Sequence, residues 1–481
     1  MKSRTIATIA LLPLTLLIAN CAENPVSGRT NFVTMSESQE IQIGRTEDVK
    51  VRQEYGVYDN KALQTYVNEV GQRLGHASHR PQLKYSYVVV DSPEINAFAL
   101  PGGYIYITRG ILAYLNSEAE LAAVLGHETG HVTARHSVQQ ISAQQATGVG
   151  AALLGIFVPA LRNQLGDSAI NLLGNALLSG YGREHELEAD KLGAEYLYRT
   201  GYDPQAMIKV LGVLKNQELY DAETAKAEGR EPRSYHGVFA SHPDADKRLQ
   251  EVVGEAGRIP PGTGRVNQEE YLRMIDRMPF GYSEAQGFVR DFTFYHRDLG
   301  LAFRLPDTWR ISNQADRVLA VNRSNDAIIE MRLAGRAQGS PADILRKELG
   351  GARDTQSTTI NGLPAAIASS SIRGLPTRVA VIFLDKNAFI IGGQARTGAA
   401  MQTALPAINA TIASFHAMTE AERNAVRPLT LRIINAPPGA RFADLARNSP
   451  LGKNAVSQLR LLNGLYPNGE PASGQALKIV E

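Results

Sequence analysis

The stretch His127-Glu128-Thr129-Gly130-His131 decides how the rest of the chain is interpreted. It lies in the run Ala119–Gln139, and Ser117 with Glu120 forms a capping box just before an apolar, helix-favouring segment. The sequence therefore predicts a helix. On a helix, two imidazoles four residues apart face the same side and can bind one metal ion, while Glu128 can take a proton from a water on that ion.

A metal site of this kind needs a third protein ligand, and His-Glu-x-x-His on a helix is the pattern of zinc peptidases. The predicted helix Gly182–Tyr198 carries four acids in seven residues, of which Glu186 and Asp190 share a face and Glu188 points elsewhere. We expect Glu186 to bind the metal and Asp190 to orient a histidine from outside the ligand set. The alternative is a solvated helix start that the helix dipole favours.

Two further segments supply candidate site residues. Asn96–Ile107 is typical of a strand, a turn and a second strand, and the backbone of Asn96, Ala97, Phe98 and Ala99 is a candidate edge for holding an extended substrate. An ordinary hairpin that packs on the helix is the alternative. Later, Ser241-His242-Pro243 places His242 where it could contact the metal or the oxyanion, or simply cap a helix.

The charge of the chain excludes one class of partner. The formal net charge of +2 over 481 residues comes from Lys2 and Arg4 near the N terminus. Without that segment basic and acidic residues balance, so we expect no nucleic-acid partner. The length allows about three ordinary domains.

The N terminus has the pattern of an export signal. Two basic residues precede an apolar stretch that ends at Ala19, and Asn20 separates it from the only cysteine of the chain, Cys21. We expect residues 1–20 to be a signal peptide, Cys21 to carry a lipid, and residues 21–40 to form a tether. Simple secretion with a buried Cys21 is the alternative. Ala22 suggests sorting to the outer membrane, by similarity to lipoproteins of Gram-negative bacteria.

Three motifs in order resemble family forty-eight of the zinc metallopeptidases, the gluzincin group of HtpX, BepA and the CAAX proteases, in its secreted lipoprotein form. They are His127–His131 with Ala134-Arg135-His136, Glu186–Asp190, and Ser241-His242-Pro243. The resemblance implies that His127, His131 and Glu186 bind zinc, that Glu128 is the general base and that Asp190 supports a ligand. It also implies that His242 can hold the enzyme latent and that Arg248 lies near the active site.

His136 is predicted to be structural. On a continued helix it would lie about 140° from His131, and the spacing does not fit the third histidine of a metzincin.

The C-terminal part changes to strand-like runs with two helical segments, and no cluster of ligands or nucleophile is evident in it. Residues 427–481 follow a strand, helix, helix, strand order that resembles a divergent LysM module, a class that binds peptidoglycan. The usual Gly-Asp-Thr after its first strand is replaced here by Gly439-Ala440-Arg441, which weakens the case for glycan binding.

We therefore expect an α+β multidomain protein. A mainly helical HExxH zincin domain with a small β-sheet would occupy residues 41–280. An α+β accessory domain would occupy residues 285–418 and a LysM-like βααβ module residues 427–481. The predicted activity is that of a zinc metalloendopeptidase with one Zn²⁺ per chain, lipid-anchored in the periplasm of a Gram-negative bacterium. Its substrates would be misfolded or unassembled envelope polypeptides.

Two other functions stay open on the sequence alone. One is a peptidoglycan-associated chaperone or scaffold with a vestigial metal site, which function retained in Glu128→Gln would favour. The other is a zinc-dependent cell-wall hydrolase, which release of muropeptides without cleavage of unfolded protein would favour.

Overall fold

The computed structural model describes residues 21–28, 30–33, 35–147, 181–228, 264–314, 316–350, 355–425 and 427–481. His242 and Arg248 lie outside the described residues, as does the predicted signal peptide. Within the described part, no helix is both long and apolar enough to cross a membrane.

The first part of the chain is mainly helical. Its helices are α1 (Glu37–Tyr55), α2 (Lys61–Ala77), α3 (Arg109–Tyr114), α4 (Glu118–Thr133), α5 (His136–Thr147), α6 (Arg183–Arg199), α7 (Ala206–Glu228) and α8 (Gln268–Ile275). Its strands are β1 (Cys21–Glu23), β2 (Thr30–Phe32), β3 (Ser86–Val90), β4 (Ala97–Leu100) and β5 (Tyr104–Thr108). Strands β1 and β2 pair with each other.

A small sheet lies beside α4. Its strand order is β3-β5-β4, with β3 parallel and β4 antiparallel to β5, so that β4 is an edge strand. The predicted hairpin is present, and Gly102 and Gly103 form its turn with φ of +80° and +100°. A Cβ at Gly102 would also lie 2.7 Å from the Cα of Ile41. Glycine is therefore required there for both the turn and the packing of α1.

Helix α4 is buried along its whole length and passes close to α6. A Cβ at Gly126 would lie 3.3 Å from the backbone of Gly193, and a Cβ at Gly193 would lie 2.9 Å from the amide nitrogen of His127. Two glycines thus let the helix that carries both histidines approach the helix that carries Glu186.

The segment before α1 differs from the predicted tether. Val33 and Met35 are buried, and Ser36 caps α1. Glu40 is only 1% exposed and accepts hydrogen bonds from Arg80 at 2.8 Å and Arg135 at 2.9 Å. Val33, Met35 and Glu40 are therefore part of the folded core, because two buried guanidinium groups need the Glu40 carboxylate. These three residues of the predicted tether, residues 21–40, pack on the protein.

The remaining elements form a second, strand-rich part and a C-terminal module. In chain order they are β6 (Pro279–Phe280), β7 (Phe288–Arg290), β8 (Thr293–His296), β9 (Leu301–Arg304), β10 (Arg310–Asn313), β11 (Arg317–Val321), β12 (Ala327–Arg336), α9 (Pro341–Glu348), β13 (Gln356–Ile360), β14 (Leu363–Ile372), β15 (Leu375–Leu384), β16 (Asn387–Ala395), α10 (Gly398–Ser414), β17 (His416–Ala417), α11 (Glu420–Ala425), β18 (Leu429–Asn435), α12 (Phe442–Leu445), α13 (Ala455–Leu462) and β19 (Ala476–Val480). A short 3₁₀ turn, Gly452–Asn454, precedes α13.

The strand-rich part centres on a seven-stranded antiparallel sheet of order β10-β11-β12-β16-β15-β14-β13. Side chains of β15 alternate between its faces. Ala380 and Ile382 pack in the cluster that contains α10, whereas Val379 and Val381 pack in the cluster that contains α9. Helices therefore cover both faces. A four-stranded sheet, β17-β9-β8-β7, adjoins it. Asn361 and Gly362 form the turn between β13 and β14, with φ of +48° and +80°.

The C-terminal module has the predicted order β18-α12-α13-β19, and its two strands are antiparallel. It is not separate from the helical part. Strand β18 also pairs with β6, and Phe442, Leu459 and Leu477 are buried in the same core cluster as α2, α4 and α7. The chain is therefore a mixed α and β protein in which the last fifty residues complete the core of the first part.

Candidate metal centre

The start of α4 is fixed by hydrogen bonds around its cap. Ser117 Oγ accepts a hydrogen bond from the Glu120 amide at 3.2 Å, as the predicted capping box requires. The Glu120 carboxylate accepts from the Asn116 amide at 2.7 Å, one residue before the expected position. The cap thus also orders the junction between α3 and α4.

Three side chains converge where α4 meets α6. His127 Nε2 lies 3.0 Å from His131 Nε2, and the two Glu186 oxygens lie 3.5 Å from His127 Nε2 and 3.4 Å from His131 Nε2. All three residues are buried. Ligand atoms about 2.1 Å from a tetrahedral ion would be roughly 3.4 Å apart, so the spacing suits a bound ion. Two imidazole nitrogens and a carboxylate are also a donor set that zinc accepts.

Two hydrogen bonds hold the histidines so that Nε2 is directed to the common point. His127 Nδ1 donates to Asp190 Oδ1 at 2.8 Å. His131 Nδ1 donates to His136 Nδ1 at 2.9 Å, and His136 Nε2 in turn donates to Glu188 Oε2 at 3.2 Å. Each chain of bonds ends on a carboxylate, and this assignment of protons leaves both Nε2 lone pairs available to a metal ion.

The part played by His136 and Glu188 differs from the prediction, which made His136 structural and directed Glu188 elsewhere. The prediction assumed that α4 continues past His131. The helix instead ends at Thr133, Arg135 has a φ of +59°, and His136 begins α5. This sharp change in chain direction places His136 next to His131, with the two Nδ1 atoms facing each other. An angle calculated on a straight helix could not have found that contact.

Burial sets the charge state of these imidazoles. Desolvation holds the pKa of His131 well below its usual range and also lowers the pKa of His136. Both rings are therefore neutral at pH 7, and neutral imidazole is the form that binds a metal ion. Glu186 opposes the shift at His131, but the burial is the larger effect.

Tyr181 is a neighbour of the centre that the sequence gave no reason to select. Its ring stacks on His131 with 3.9 Å between centroids, and its hydroxyl lies 2.7 Å from Ser137 Oγ. Burial raises the pKa of Tyr181, so the phenol stays neutral. The stacked ring covers one face of His131 and restricts the rotation of that ligand.

Glu128 lies beside the centre and lines an apolar cavity together with His127. The cavity has an empty volume of about 350 Å³, including space that opens to solvent. Apart from these two residues its walls are aliphatic: Ala97, Ile111, Ala123, Val124, Met207, Val210, Leu211 and Leu214. A group that enters from solvent therefore meets Glu128 and His127 at a surface that favours apolar side chains.

The predicted substrate edge is close to this cavity. Ala97 of β4 forms part of the cavity wall, and Ala97 and Ala99 are buried in the core that contains α4. Phe98 points to the opposite face of the sheet, where its ring stacks on Tyr106. Asn96 is buried, and its carbonyl accepts a hydrogen bond from the Thr108 amide at 3.0 Å. Among the described residues β4 is the outer strand of its sheet, and its Ala97 lies at the cavity; the use of Asn96–Ala99 as a substrate edge stays a prediction.

The His-Glu-x-x-His pattern of zinc peptidases lies on α4, and the third candidate ligand, Glu186, lies on a separate helix. Residues 61–256 match the model of Peptidase family M48.

Two groups of proteins are similar in sequence to this chain. The chain is 31% identical over 259 residues to "Beta-barrel assembly-enhancing protease" of Escherichia coli (strain K12), which covers 52% of this chain and 50% of that protein. It is 32% identical over 235 residues to "Mitochondrial metalloendopeptidase OMA1" of Schizosaccharomyces pombe, which covers 47% of this chain and 64% of that protein. The chain therefore spans only half to two thirds of the length of these relatives.

Two solved structures are each similar to about a quarter of this chain. Cyanobacterial PsbP (CyanoP) from Synechocystis sp. PCC 6803 is 10% identical, with a TM-score of 0.22, over 26% of this chain and 91% of that one. LpqN of Mycobacterium tuberculosis is 19% identical, with a TM-score of 0.17, over 24% of this chain and 81% of that one.

Proposed function

We propose that this protein is a zinc metalloendopeptidase that binds one zinc ion per chain through His127, His131 and Glu186. The observation that carries the proposal is the convergence of these three buried ligand atoms within 4.8 Å of one another, on two helices held together by glycines. The sequence match to Peptidase family M48 supports the same activity.

The residues around the centre suit peptide hydrolysis. Zinc in such a site supplies a Lewis acid that activates water and polarises the peptide carbonyl. Glu128 takes the proton of the attacking water and then gives it to the leaving amine. Asp190 and His136 hold the two histidines in the tautomer that keeps Nε2 toward the site. Outside the described residues, we propose that His242 and Arg248 stabilise the oxyanion or keep the enzyme latent.

We propose that the substrate is an unfolded polypeptide. Its main chain would extend antiparallel along β4, with the backbone of Asn96–Ala99 as the binding edge. A side chain next to the cleaved bond would enter the apolar cavity. Such a mode needs an extended segment, which folded proteins rarely offer, so misfolded or unassembled chains are the natural substrates.

Removing the support of His127 should weaken zinc binding before it affects the fold. Asp190→Asn keeps the size of the side chain but removes the negative charge that holds the imidazole. We expect the dissociation constant for zinc to rise about 10–100-fold. Competition with a chromogenic chelator measures it. Glu184→Gln changes an exposed acid of the same helix and should leave the constant unchanged. Equal affinity in Asp190→Asn and wild type would rule out this supporting role.

A larger side chain at Val210 should narrow the cavity and change the choice of substrate. Val210→Leu adds one methylene to the wall, so the ratio of kcat/KM between a peptide with leucine and one with alanine at the selected position should fall at least about 10-fold. Profiling of cleavage sites on a peptide library identifies the position and measures the ratio. Val213→Leu is the matched control, since Val213 is equally buried on α7 but does not line the cavity. An unchanged profile would mean that the cavity does not bind substrate.

The activity itself is tested with the mature protein on a His242→Ala background, which removes the proposed latency. Zinc-loaded protein should cleave a reduced, unfolded model protein, and a chelator should stop the cleavage until zinc is restored. If the protein binds one zinc ion but cleaves nothing, the peptidase proposal fails. Release of muropeptides from peptidoglycan without any protein cleavage would instead favour a cell-wall hydrolase.

We propose that the enzyme works in the envelope of a Gram-negative bacterium, in the quality control of envelope proteins. The supporting observations are the export pattern of residues 1–20, the position of Cys21, and the name of the bacterial relatives, which refers to β-barrel assembly. Lipid attached to Cys21 would anchor the protein to the outer membrane, and residues 427–481 are a candidate contact with peptidoglycan. Palmitate labelling of wild type and Cys21→Ser, followed by membrane fractionation, tests the anchor.

A further inference from the structure

A buried lysine joins the C-terminal module to the helical part. Lys478 of β19 has no solvent exposure, and its Nζ donates to the carbonyl oxygens of Ala113 at 2.8 Å and Leu115 at 2.7 Å. Burial lowers the pKa of Lys478 to about 7. Both the charged and the neutral amine have enough N–H groups to make these two bonds. An apolar side chain would avoid the cost of burial, so what lysine adds here is these two bonds and an attraction to the Glu120 carboxylate.

These two carbonyls lie at the point where α3 ends and α4 is about to begin. The last carbonyls of a helix have no partner within the helix, and Lys478 supplies one. Asn116 and Ser117, the next residues, make the hydrogen bonds that cap α4. The lysine thus holds the junction that sets the direction of the HExxH helix. Ile111 of α3 and Val124 of α4 are walls of the apolar cavity.

The same module also contacts α7. The hydroxyl of Tyr466 donates to the Glu223 carboxylate, and the ring of Tyr466 meets Tyr220 edge-on with 6.2 Å between centroids. Both partners lie on α7, whose first half carries the wall residues Met207, Val210, Leu211 and Leu214. Helix α13 of the module packs on both α3 and α7. The C-terminal module therefore contacts both α3 and α7, the two helices between which the cavity opens.

We propose that residues 429–480 are an internal brace that fixes the distance between α3 and α7, and that Lys478 is a positioning residue for substrate binding. The inference rests on the proposed peptidase function only for its kinetic consequences. Lys478 touches neither substrate nor metal. It acts through the α3–α4 junction, and Tyr466 acts through α7.

Kinetics and hydrogen exchange on the full-length protein test the brace. Lys478→Met keeps the length of the side chain and removes both hydrogen bonds. It should raise KM for an apolar peptide about 10-fold while kcat stays within about twofold and one zinc ion remains bound. Amide exchange should accelerate at residues 109–116 and also at residues 206–214. Lys453→Met changes an exposed lysine of the same module and should alter neither measurement.

The outcomes separate the brace from the peptidase proposal. Faster exchange confined to residues 109–116 and 476–480, with an unchanged KM, would reduce Lys478 to a local structural role and overturn the inference. If Lys478→Met does not fold, Tyr466→Phe decides. It keeps the ring and removes only the bond to Glu223, so faster exchange at residues 206–214 supports the brace and unchanged exchange overturns it. A wild-type protein that cleaves nothing would contradict the peptidase function. Amide exchange in the variants would still test the proposed brace.

Discussion

Glu128→Gln should lower kcat/KM for peptide cleavage by about 10²–10⁴-fold, the range that a general base contributes. The amide cannot accept a proton from water at the site, whereas its size and its place on α4 are unchanged. The three proposed ligands are other residues, so one zinc ion should still bind. Steady-state cleavage of a fluorogenic peptide, together with metal analysis of the same sample, measures both quantities.

Glu184→Gln provides the control for this substitution. Glu184 is an exposed acid on α6, two residues from the proposed ligand Glu186, and its loss should change kcat/KM by less than about twofold. If Glu128→Gln keeps more than a tenth of the wild-type activity, Glu128 is not the base. If an envelope chaperone function also persists in that variant, the result favours a scaffold function over a peptidase function.

The largest effect on stability is expected at Glu40. Glu40→Ala should lower the free energy of unfolding by about 3–5 kcal/mol, because it leaves Arg80 and Arg135 buried without their shared carboxylate. Arg80 is 1% exposed and Arg135 is 8% exposed, so water cannot replace the lost partner. Denaturant unfolding followed by circular dichroism measures the change.

The matched control is one helical turn away. Glu37 also pairs with Arg80, at 3.1 Å, but its side chain is half exposed. Glu37→Ala should therefore cost no more than about 1 kcal/mol. Equal losses in the two variants would mean that burial does not distinguish these ion pairs, and would remove the physical reason for counting Glu40 as part of the core.

The sequence identified those residues of the centre that are related by four-residue spacing on a single helix. His127 and His131 share a face because they are four residues apart, and the same rule relates Glu186 to Asp190. What the sequence did not reveal depends on where α4 ends. Arg135 turns the chain in a left-handed conformation, and only then does His136 reach His131. A positive φ at an arginine has no reliable signature in sequence, so that contact could not be predicted.

The same limit applies to the C-terminal module. Its order of strands and helices followed from local patterns, because each element is defined by its own residues. Its packing against the helical part depends on Lys478, whose Nζ donates to carbonyl oxygens more than 360 residues away along the chain. A single lysine in an otherwise apolar strand resembles a solvated edge position, and pattern alone cannot separate that case from a buried contact.

The glycine contact between α4 and α6 makes the chain intolerant of change at positions that never approach the ion. Any side chain at Gly193 would clash with the backbone of His127, so α6 would have to shift. Glu186 lies two turns earlier on the same helix and would shift with it. The close contact between α4 and α6 is therefore needed for the geometry of the proposed site. A substitution at one of these glycines could abolish activity even though every residue of the HExxH motif is unchanged.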